Sequence, residues 1–566
     1  MKDVPLYEVR KIRDLRDMLQ QSVELYADRT AFMVKKKRGA PYSNISMKEF
    51  ADDINAWGTA LLNHVSIGSR VAILSETRYE WYVSYLSVTN GTGMVVPLDN
   101  ELPSQEITNL INRAEADVLI YSAPKQSMVD EIMKDIPGVK KYICMDSVQD
   151  REDILYFGDL LTKGQSLLAE GDRTFLDALV DPEAMSVMLF TSGTTSESKA
   201  VMLSQKNICA NLEGMCSMVY IGPDDVFLSV LPLHHSYECT CGFLCPIYRG
   251  ATIAICEGLR YILPNIKESK PTIILVVPLM LEMFHRNIMK KAKATPKLAR
   301  KFELVRKLGR VLSSLNIDLR RKIFSQVHEA FGGNLRMVIS GGAAADPKIM
   351  SDMQDMGIAC LQGYGLTECA PILALNHDVY FNNQAAGLPL PGVEMKTIDQ
   401  DENGIGEFVG RGPNVMLGYY KNPEATAEAI NEDGFYHTGD LGYIDENGFC
   451  IITGRKKNVI VSKNGKNIFP EEIESLLSRS PYVAESVVSG KESQRDDIVV
   501  TATIVPDMDA VREHLGPNPD EETIQALLEE EVGKVNQQLV GYKHIRRVTY
   551  RGTEFDKTTS KKIRRH

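Results

Sequence analysis

The chain has 566 residues, of which 44% are hydrophobic and 25% charged, and its formal net charge is −11. This length exceeds the size at which one hydrophobic core stops growing, so we expect at least two domains. The acidic balance argues against nucleic acid as a partner, because nucleic-acid binders usually carry a basic surface.

The N-terminal stretch MKDVPLYEVRKIRDL mixes charges and lacks the apolar region of a signal peptide. The ten cysteines follow no disulfide spacing, which favours a reducing, cytoplasmic setting. Cys239, Cys241 and Cys245 lie close after His234 and His235. Their spacing matches no common zinc pattern, so buried thiols are the favoured interpretation and a zinc site the alternative.

The first several hundred residues alternate helical patterns with short apolar runs. Residues 11–27 predict an amphipathic helix, and residues 30–34 a strand. Apolar runs bounded by helices are typical of buried parallel strands, which predicts an α/β domain of helix-flanked sheets. The clearest runs are 70–74, 186–190, 252–256, 272–277 and 336–339.

After about residue 383 the pattern changes to short strands punctuated by Gly, Pro, Asp and Asn, which predicts a small β-barrel-like layer. Beyond residue 455 a compact α+β unit is expected, with helices at 470–478 and 521–539 and a strand at 498–505. We therefore predict an N-terminal domain over 1–454, a hinge at 455–458 and a small mobile C-terminal domain over 459–566.

A basic segment at 290–322 contrasts with the acidic chain. It holds twelve Lys or Arg residues against Glu303 and Asp318. One interpretation is peripheral contact with an anionic membrane surface, which attracts clustered cations. The other is a solvated helical cap, since runs of charge usually face water.

The sequence LFTSGTTSESKAVMLSQKN at 189–207 is the strongest local signal. Hydroxyls and a glycine follow an apolar run, and Lys199 comes directly after them. Such a loop offers N–H groups, hydroxyls and an ammonium to phosphate oxygens. It lacks the GxxxxGK[ST] string of a Walker loop. The loop residues are Thr191, Ser192, Gly193, Thr194 and Thr195.

This loop resembles TSGTTGxPKG of the adenylate-forming superfamily, which includes acyl-CoA synthetases, luciferases and adenylation domains. It departs from that pattern at Ser196, Ser198 and Ala200. Further matches follow in the family's order. They are LPLHHSYE at 231–238, SGGAA at 340–344, QGYGLTE at 362–368, YHTGDLGYIDENGF at 436–449, GRKKNVIV at 454–461, GKNIFPEEIE at 465–474 and KTTSKKIRR at 557–565.

The resemblance implies roles for individual residues around a nucleotide. Glu368 would hold Mg²⁺, with Thr191 helping, and Thr367 would touch the α-phosphate. Tyr364 would stack on adenine, and several glycines and an alanine would let the backbone come close to the base. Asp440 would accept from the ribose hydroxyls, supported by Arg455. The residues allowing that backbone approach are Gly342, Ala343, Gly363 and Gly365.

Three further residues carry over from the same resemblance. His235 is the histidine of the PLxH segment, and Glu238 fits the pattern of long-chain acyl-CoA synthetases. Lys562 is the terminal lysine that would neutralise charge at the forming bond, although a slip of one position would name Lys561. Lys457 would be the pivot of the hinge, which needs only a few residues to absorb the backbone change.

The chemistry implied is activation of a carboxylic acid, most naturally a long-chain fatty acid, by ATP with Mg²⁺ and then transfer to coenzyme A. Attack on the α-phosphate builds charge on phosphate oxygens, which preorganised cations and N–H donors stabilise. Alternatives are a ligase for a medium-chain, aryl or other acid, and one that loads an external carrier protein. A further alternative is a non-catalytic nucleotide-binding or membrane-adapter protein.

Overall fold

A computed structural model describes residues 5–147, 151–191, 198–292, 295–314, 318–461, 466–492, 498–557, 563 and 565. The predicted loop residues Ser192, Gly193, Thr194 and Thr195, together with Lys562, lie outside the described residues. Contacts within the chain divide it into two compact units. The first comprises residues 1–395, 410–436 and 446–449, and the second 396–409, 437–445 and 450–566.

The strands are, in chain order, β1 (Thr30–Val34), β2 (Ser43–Ser46), β3 (Ser69–Leu74), β4 (Gly93–Pro97), β5 (Val118–Tyr121), β6 (Lys141–Cys144), β7 (Ile154–Tyr156), β8 (Met185–Thr191), β9 (Lys199–Ser204), β10 (Val226–Ser229), β11 (Thr252–Ile255), β12 (Ile273–Val276), β13 (Met337–Ser340), β14 (Ala359–Gly365), β15 (Ile372–Leu375), β16 (Leu388–Pro389), β17 (Glu394–Ile398), β18 (Gly406–Arg411), β19 (Gly418–Tyr419), β20 (Tyr436–Ile444), β21 (Cys450–Arg455), β22 (Ile460–Val461), β23 (Asn467–Ile468), β24 (Val483–Glu492), β25 (Ile498–Pro506) and β26 (Arg547–Tyr550).

The α-helices are α1 (Leu15–Tyr26), α2 (Met47–Leu62), α3 (Tyr79–Ser87), α4 (Ser104–Ala114), α5 (Gln126–Ile132), α6 (Phe157–Ala169), α7 (Gln205–Met218), α8 (Cys245–Arg249), α9 (Ile262–Ser269), α10 (Pro278–Ala292), α11 (Pro296–Ser314), α12 (Arg320–Ile323), α13 (Ser325–Ala330), α14 (Pro347–Asp355), α15 (Pro423–Ala429), α16 (Pro470–Leu477), α17 (Met508–Leu515) and α18 (Glu521–Asn536). None of these, in the parts that the structure describes, is both long and apolar enough to cross a membrane.

Two large sheets organise the first unit. A nine-stranded sheet has the order β16-β15-β14-β13-β12-β10-β11-β1-β2, and an eight-stranded sheet the order β19-β9-β8-β4-β3-β5-β6-β7. The central strands of both sheets pair in parallel, while their outer strands include antiparallel pairs. Central strands such as β12 and β13 are wholly buried, as expected for parallel strands covered on both faces.

Local signals in the sequence set the helix starts of this unit. Asp14 caps α1 by accepting from the Asp17 amide. Ser46 begins α2 with a capping box completed by Glu49, and Ser204 begins α7 in the same way. Each cap satisfies backbone N–H groups that have no partner within the helix.

The second unit contains a three-stranded sheet of order β24-β25-β26 and a two-stranded sheet of β22 and β23. Helices α16 and α18 pack with the three-stranded sheet around buried residues such as Ile473, Leu528 and Ile504. Most of a four-stranded sheet, order β17-β18-β20-β21, also belongs to this unit. The layer expected to be barrel-like is therefore an open sheet in the described residues.

The α/β class predicted from the sequence is confirmed. The five apolar runs between helices are strands β3, β8, β11, β12 and β13. The predicted C-terminal helices are α16 and α18, and the predicted strand is β25. Helix α1 begins later than predicted because the chain becomes helical only after the Asp14 cap.

Helices α2 and α6 approach each other closely at a glycine. A Cβ added to Gly164 would lie 1.7 Å from the carbonyl oxygen of Ala56. We predict that Gly164→Ala lowers the free energy of unfolding by about 2 kcal/mol or more, because the two helices must move apart. Urea denaturation measures the change.

Gly158 on the same helix is the matched control, since nothing lies within 4 Å of a Cβ added there. Gly158→Ala should leave stability unchanged or raise it by about 0.5 kcal/mol. Equal loss of stability in both variants would contradict the close helix contact as the cause.

Candidate functional site

Three of the predicted segments follow strands of the nine-stranded sheet. Residues 231–238 come after β10, residues 341–344 come after β13, and β14 ends at Gly365 directly before Thr367 and Glu368. These strands run parallel within one sheet. Carboxyl ends of parallel strands meet at one edge, where ligands bind in open α/β sheets. The fold thus gathers these segments at a single edge.

The turn that carries Glu368 is built on a tight backbone approach. A Cβ added to Gly365 would lie 1.8 Å from the Pro371 carbonyl oxygen, so only glycine fits at this position. Glu368 lies in a short 3-10 helix and is only 8% exposed. Its carbonyl accepts from the Met416 amide at 2.8 Å. The carboxylate is therefore held on a rigid, nearly buried turn.

Tyr419 connects this turn to the eight-stranded sheet. Its hydroxyl donates to Glu368 Oε1 at 3.0 Å. The Lys199 ammonium lies 4.7 Å from the centre of the Tyr419 ring. Tyr419 lies on the edge strand β19, opposite Val201 of β9, which is two residues beyond Lys199. The pairing of β19 with β9 therefore holds Tyr419 between Lys199 and Glu368. The structure thus brings Lys199 and Glu368, both predicted from the sequence, into one cluster.

Tyr436 adds a second phenol beside the same carboxylate. Burial and the nearby Glu368 and Tyr419 raise its pKa. Burial and Glu368 also raise the pKa of Tyr419. Both phenols are therefore neutral at physiological pH and act as hydrogen-bonding groups.

The two ends of the predicted phosphate loop are fixed by a hairpin. Strands β8 and β9 are antiparallel, with Thr191 opposite Lys199. The Thr191 hydroxyl donates to the Lys199 carbonyl at 3.4 Å. The loop therefore starts and ends at paired positions, which holds Lys199 at its base.

Arg113 on α4 holds the far end of this loop. Its guanidinium donates to the Ser198 carbonyl at 2.7 Å and to the Ser198 hydroxyl at 3.1 Å. The same group lies 5.5 Å from the centre of the Phe190 ring, just before the loop. Ser198 departs from the family's proline, and here its hydroxyl supplies an additional acceptor for Arg113.

The turn predicted to receive adenine begins at Gly341. Gly342 has a positive φ of 83°, a conformation that glycine adopts without strain. Gly342 and Ala343 are exposed, whereas Tyr364 is only 9% exposed. Tyr364 pairs with Ala374 across β14 and β15, next to Gly363. An exposed backbone therefore lies at the end of β13, beside a strand that carries a nearly buried tyrosine.

The two histidines after β10 lie next to each other, with ring centres 4.2 Å apart. His234 Nε2 lies 3.4 Å from Asp99 Oδ2. His235 is half-buried. The next residue, Ser236, donates to the Thr367 hydroxyl at 3.4 Å. This contact joins the histidine segment directly to the turn that carries Glu368.

Glu238 begins a π-helix, a geometry that is rare and often found at functional sites. Its side chain is 1% exposed, and the Ser229 hydroxyl donates to Oε1 at 2.6 Å. Oε2 has no hydrogen-bond partner among the described residues. Burial raises the pKa of the Glu238 carboxyl to about 8. The group is therefore a neutral acid near pH 7.

Asp440 and Arg455, in the second unit, form an ion pair. They are opposite each other on β20 and β21, and Arg455 Nε lies 2.7 Å from Asp440 Oδ1. Lys457 follows in a short 3-10 helix. Burial, Arg455 and Arg565 lower its pKa. Three predicted residues of this unit therefore lie close together.

Lys557 and Arg565, which lie before and after Lys562 in the chain, form ion pairs. Lys557 pairs with Glu485, and with Glu554 at 2.8 Å. Arg565 pairs with Glu474 and donates to the Val488 carbonyl at 3.1 Å. Burial raises the pKa of Glu474 to about 7, against the opposing effect of Arg565. Lys557 and Arg565, the two ends of the terminal lysine motif, therefore each have acidic partners.

All ten cysteines are free and buried, as the buried-thiol interpretation predicts. Burial raises the pKa of Cys239 to about 12 and raises that of Cys241 and Cys245. Within the described ranges, no group of three His, Cys, Asp or Glu residues could hold a metal ion.

Three contributors to the site lie outside the motifs recognised in the sequence. Tyr419 lies in a β-rich segment 51 residues along the chain from Glu368. Arg113 lies 85 residues before Ser198, and Ser229 only nine residues before Glu238. Only the last pair is close enough for a local pattern to suggest it.

The sequence model of the family described as AMP-binding enzyme matches residues 19–420. Human long-chain-fatty-acid–CoA ligase 1 is 30% identical over 513 residues, covering 84% of this chain and 71% of that protein. Long-chain-fatty-acid–CoA ligase 1 of Cavia porcellus is 29% identical over 545 residues, covering 90% of this chain and 76% of that protein.

Solved structures share the fold. The anthranilate CoA ligase AuaEII in complex with anthranoyl-AMP superposes with a TM-score of 0.77 at 21% identity, covering 100% of this chain and 98% of that one. The o-succinylbenzoate CoA synthetase of Bacillus subtilis, in complex with its acyl-adenylate, gives a TM-score of 0.72 at 20% identity, covering 97% and 96%.

The raised pKa of Glu238 predicts a pH-dependent stability. An acid whose pKa is higher in the folded than in the unfolded state stabilises the fold at low pH. That contribution is lost as pH rises towards about 8. We predict that, as pH rises from about 5 to about 8, the free energy of unfolding of Glu238→Gln increases by more than about 1 kcal/mol relative to that of the wild type. Urea denaturation across that range measures the difference.

Glu170→Gln, at an exposed position, is the matched control and should show no such trend. A difference between wild type and Glu238→Gln that stays constant with pH would contradict a neutral buried acid.

Proposed function

We propose that this chain, which belongs to the AMP-binding enzymes and is an adenylate-forming acid–CoA ligase, acts on a long-chain fatty acid. ATP and coenzyme A are the co-substrates. A carboxylate oxygen attacks the α-phosphorus of ATP, and pyrophosphate leaves. The coenzyme A thiolate then attacks the acyl carbon, and AMP leaves with the electrons of the broken C–O bond.

The proposed acid is supported by relatives whose names specify long-chain fatty acids and that match most of this chain. Glu238, which fits the long-chain pattern, is buried beside aromatic side chains. The Tyr82 hydroxyl donates to Ser229 at 3.0 Å, and the Phe243 ring centre lies 4.7 Å from that of Tyr82. An apolar surrounding of this kind suits an apolar substrate.

The observation that carries the phosphate chemistry is the cluster of Lys199, Tyr419 and Glu368. We propose that Lys199 and Thr191 contact phosphate oxygens and that Thr367 contacts the α-phosphate. A preorganised ammonium stabilises charge that develops there. Because Tyr419 contacts both Lys199 and Glu368, it would fix the distance between a cation and an anion on either side of the phosphates.

The residues of this cluster fit a magnesium ion. Magnesium prefers hard oxygen ligands and usually takes only one or two carboxylates, with phosphates and water completing the shell. Glu368 supplies a carboxylate oriented by Tyr419, and the Thr191 hydroxyl is the proposed helper. A bound magnesium would withdraw charge from the phosphate oxygens.

Further roles are proposed from the family resemblance. Asp440 would bind the ribose hydroxyls, and the ion pair with Arg455 supports this by holding the carboxylate in one orientation. Tyr364, with Gly342, Ala343, Gly363 and Gly365, would form the adenine site. His235 would line the acid site. Lys562 would act in adenylation, and Lys457 would be the pivot between the two steps. A cytoplasmic location is likewise proposed.

Acid-dependent pyrophosphate exchange tests the proposed substrate. We expect palmitate and oleate to support faster exchange than decanoate, benzoate or o-succinylbenzoate, and coenzyme A to yield the thioester. Faster exchange with an aryl or medium-chain acid would reassign the substrate. Acyl transfer to a carrier protein but not to coenzyme A would contradict the acceptor, and ATP binding without exchange would contradict catalysis.

The role of Tyr419 is tested by Tyr419→Phe, which removes only the hydroxyl that donates to Glu368. We expect the adenylation rate to fall about tenfold or more, since a hydrogen bond to a charged group contributes about 1.5–3 kcal/mol. Pyrophosphate exchange at saturating acid measures the rate.

Tyr420→Phe is the neighbouring control, because the Tyr420 hydroxyl donates instead to the exposed Glu115. It should retain the wild-type rate. Equal losses in the two variants, or a wild-type rate in Tyr419→Phe, would remove Tyr419 from the proposed cluster.

A further inference from the structure

Helices α10 and α11 are fastened to α14 through one buried carboxylate. His285 Nε2 on α10 lies 3.0 Å from Asp352 Oδ2. Arg306 on α11 pairs with the other oxygen of the same Asp352. These two side chains define the inner faces of α10 and α11, so the opposite faces point away from α14.

The outer face of α10 presents four residues in one row. Leu279, Met283, Arg286 and Lys290 follow each other at intervals of four, three and four residues, which places them on one side of a helix. Leu279 is 55% exposed and Met283 47% exposed. Two apolar side chains and two basic ones therefore share this face.

The outer face of α11 repeats the arrangement. Lys297, Arg300, Leu304 and Lys307 are spaced by three, four and three residues, and all four are exposed. Leu304 is 70% exposed. The nearby acid Glu303 turns towards the inner face, where it pairs with Arg306 at 2.8 Å. We call the rows on α10 and α11 together the outer stripes.

Three basic residues of the segment 290–322 are held by partners within the chain. Arg306 is held by Asp352 and Glu303. Arg320 pairs with Asp318 at 2.7 Å, and Arg321 donates to the carbonyls of Gly333 and Leu335. These three bases have partners within the chain, and Lys297, Arg300 and Lys307 are exposed on the outer face of α11.

We propose that the outer stripes dock this protein on an anionic phospholipid bilayer. Clustered Lys and Arg residues are attracted to the negative surface of such a bilayer. Exposed Leu and Met on the same helix face can enter the boundary between headgroups and acyl chains. Leu279, Met283 and Leu304 place apolar area among these cations, the combination found in amphipathic helices that lie on a membrane surface. The docking follows from this surface and does not depend on which acid the enzyme uses.

Vesicle flotation with the full chain tests the docking. We expect binding to vesicles of equal parts phosphatidylcholine and phosphatidylglycerol, little binding to phosphatidylcholine alone, and weaker binding as salt rises. The variant K297E/R300E/K307E should bind about a hundredfold more weakly, since each basic residue contributes about a fivefold gain. Leu304→Ser should weaken binding about tenfold.

The control variant K36E/K134E/K163E changes the net charge equally at exposed lysines elsewhere, and it should bind almost as the wild type does. All variants are first checked for an unchanged thermal unfolding midpoint, and their exchange activity with a soluble acid should match the wild type. Equal binding to both vesicle types, equal loss in the control, or binding to single-stranded RNA but not to vesicles would overturn the proposal.

Discussion

The candidate site depends on one hydrogen bond, from the Tyr419 hydroxyl to the nearly buried Glu368 carboxylate. A carboxylate removed from water is costly unless it is hydrogen-bonded or paired. Tyr419 supplies that partner from the eight-stranded sheet, while Glu368 lies at the edge of the nine-stranded sheet. This bond therefore fixes the sheet edge that carries the acidic group against the hairpin that carries Lys199.

The hairpin itself is fixed from several directions. Pairing of Thr191 with Lys199 sets the width of the loop base. Arg113 holds the side chain and carbonyl of Ser198. Preorganisation of this kind matters for phosphate chemistry, because charged groups already in position need not reorganise as charge develops. A serine in place of proline here retains restraint through hydrogen bonds instead of through a fixed φ angle.

Two glutamates outside the phosphate cluster are withdrawn from water, Glu238 fully and Glu474 partly. Glu238 and Glu474 both have raised pKa values, of about 8 and about 7. Among the residues that the structure describes, Glu238 accepts only from the neutral Ser229 hydroxyl, whereas Glu474 is paired with the Arg565 guanidinium. The pKa of Glu238 is higher because its apolar, aromatic surroundings offer few hydrogen-bond donors. The ion pair with Arg565 offsets part of the cost of burying Glu474.

Much of the architecture follows from local patterns in the chain. The apolar runs between helices predict β3, β8, β11, β12 and β13, and capping side chains such as Ser204 begin their helices through contacts within a few residues. The ordered motifs likewise predict a set of site residues, because each lies in a sequence motif too specific to match the family by chance. These residues are Lys199, Glu368, Asp440 and Arg455.

Other features depend on contacts between distant segments, which no local pattern contains. Tyr419 reaches Glu368 across 51 residues, Arg113 reaches Ser198 across 85, and Asp352 joins His285 to Arg306. The sequence alone determined the fold class, the order of the motifs and the excess of positive charge in 290–322. Only the tertiary structure decided which side chains meet and which bases remain on the surface, because these depend on strand order and helix packing.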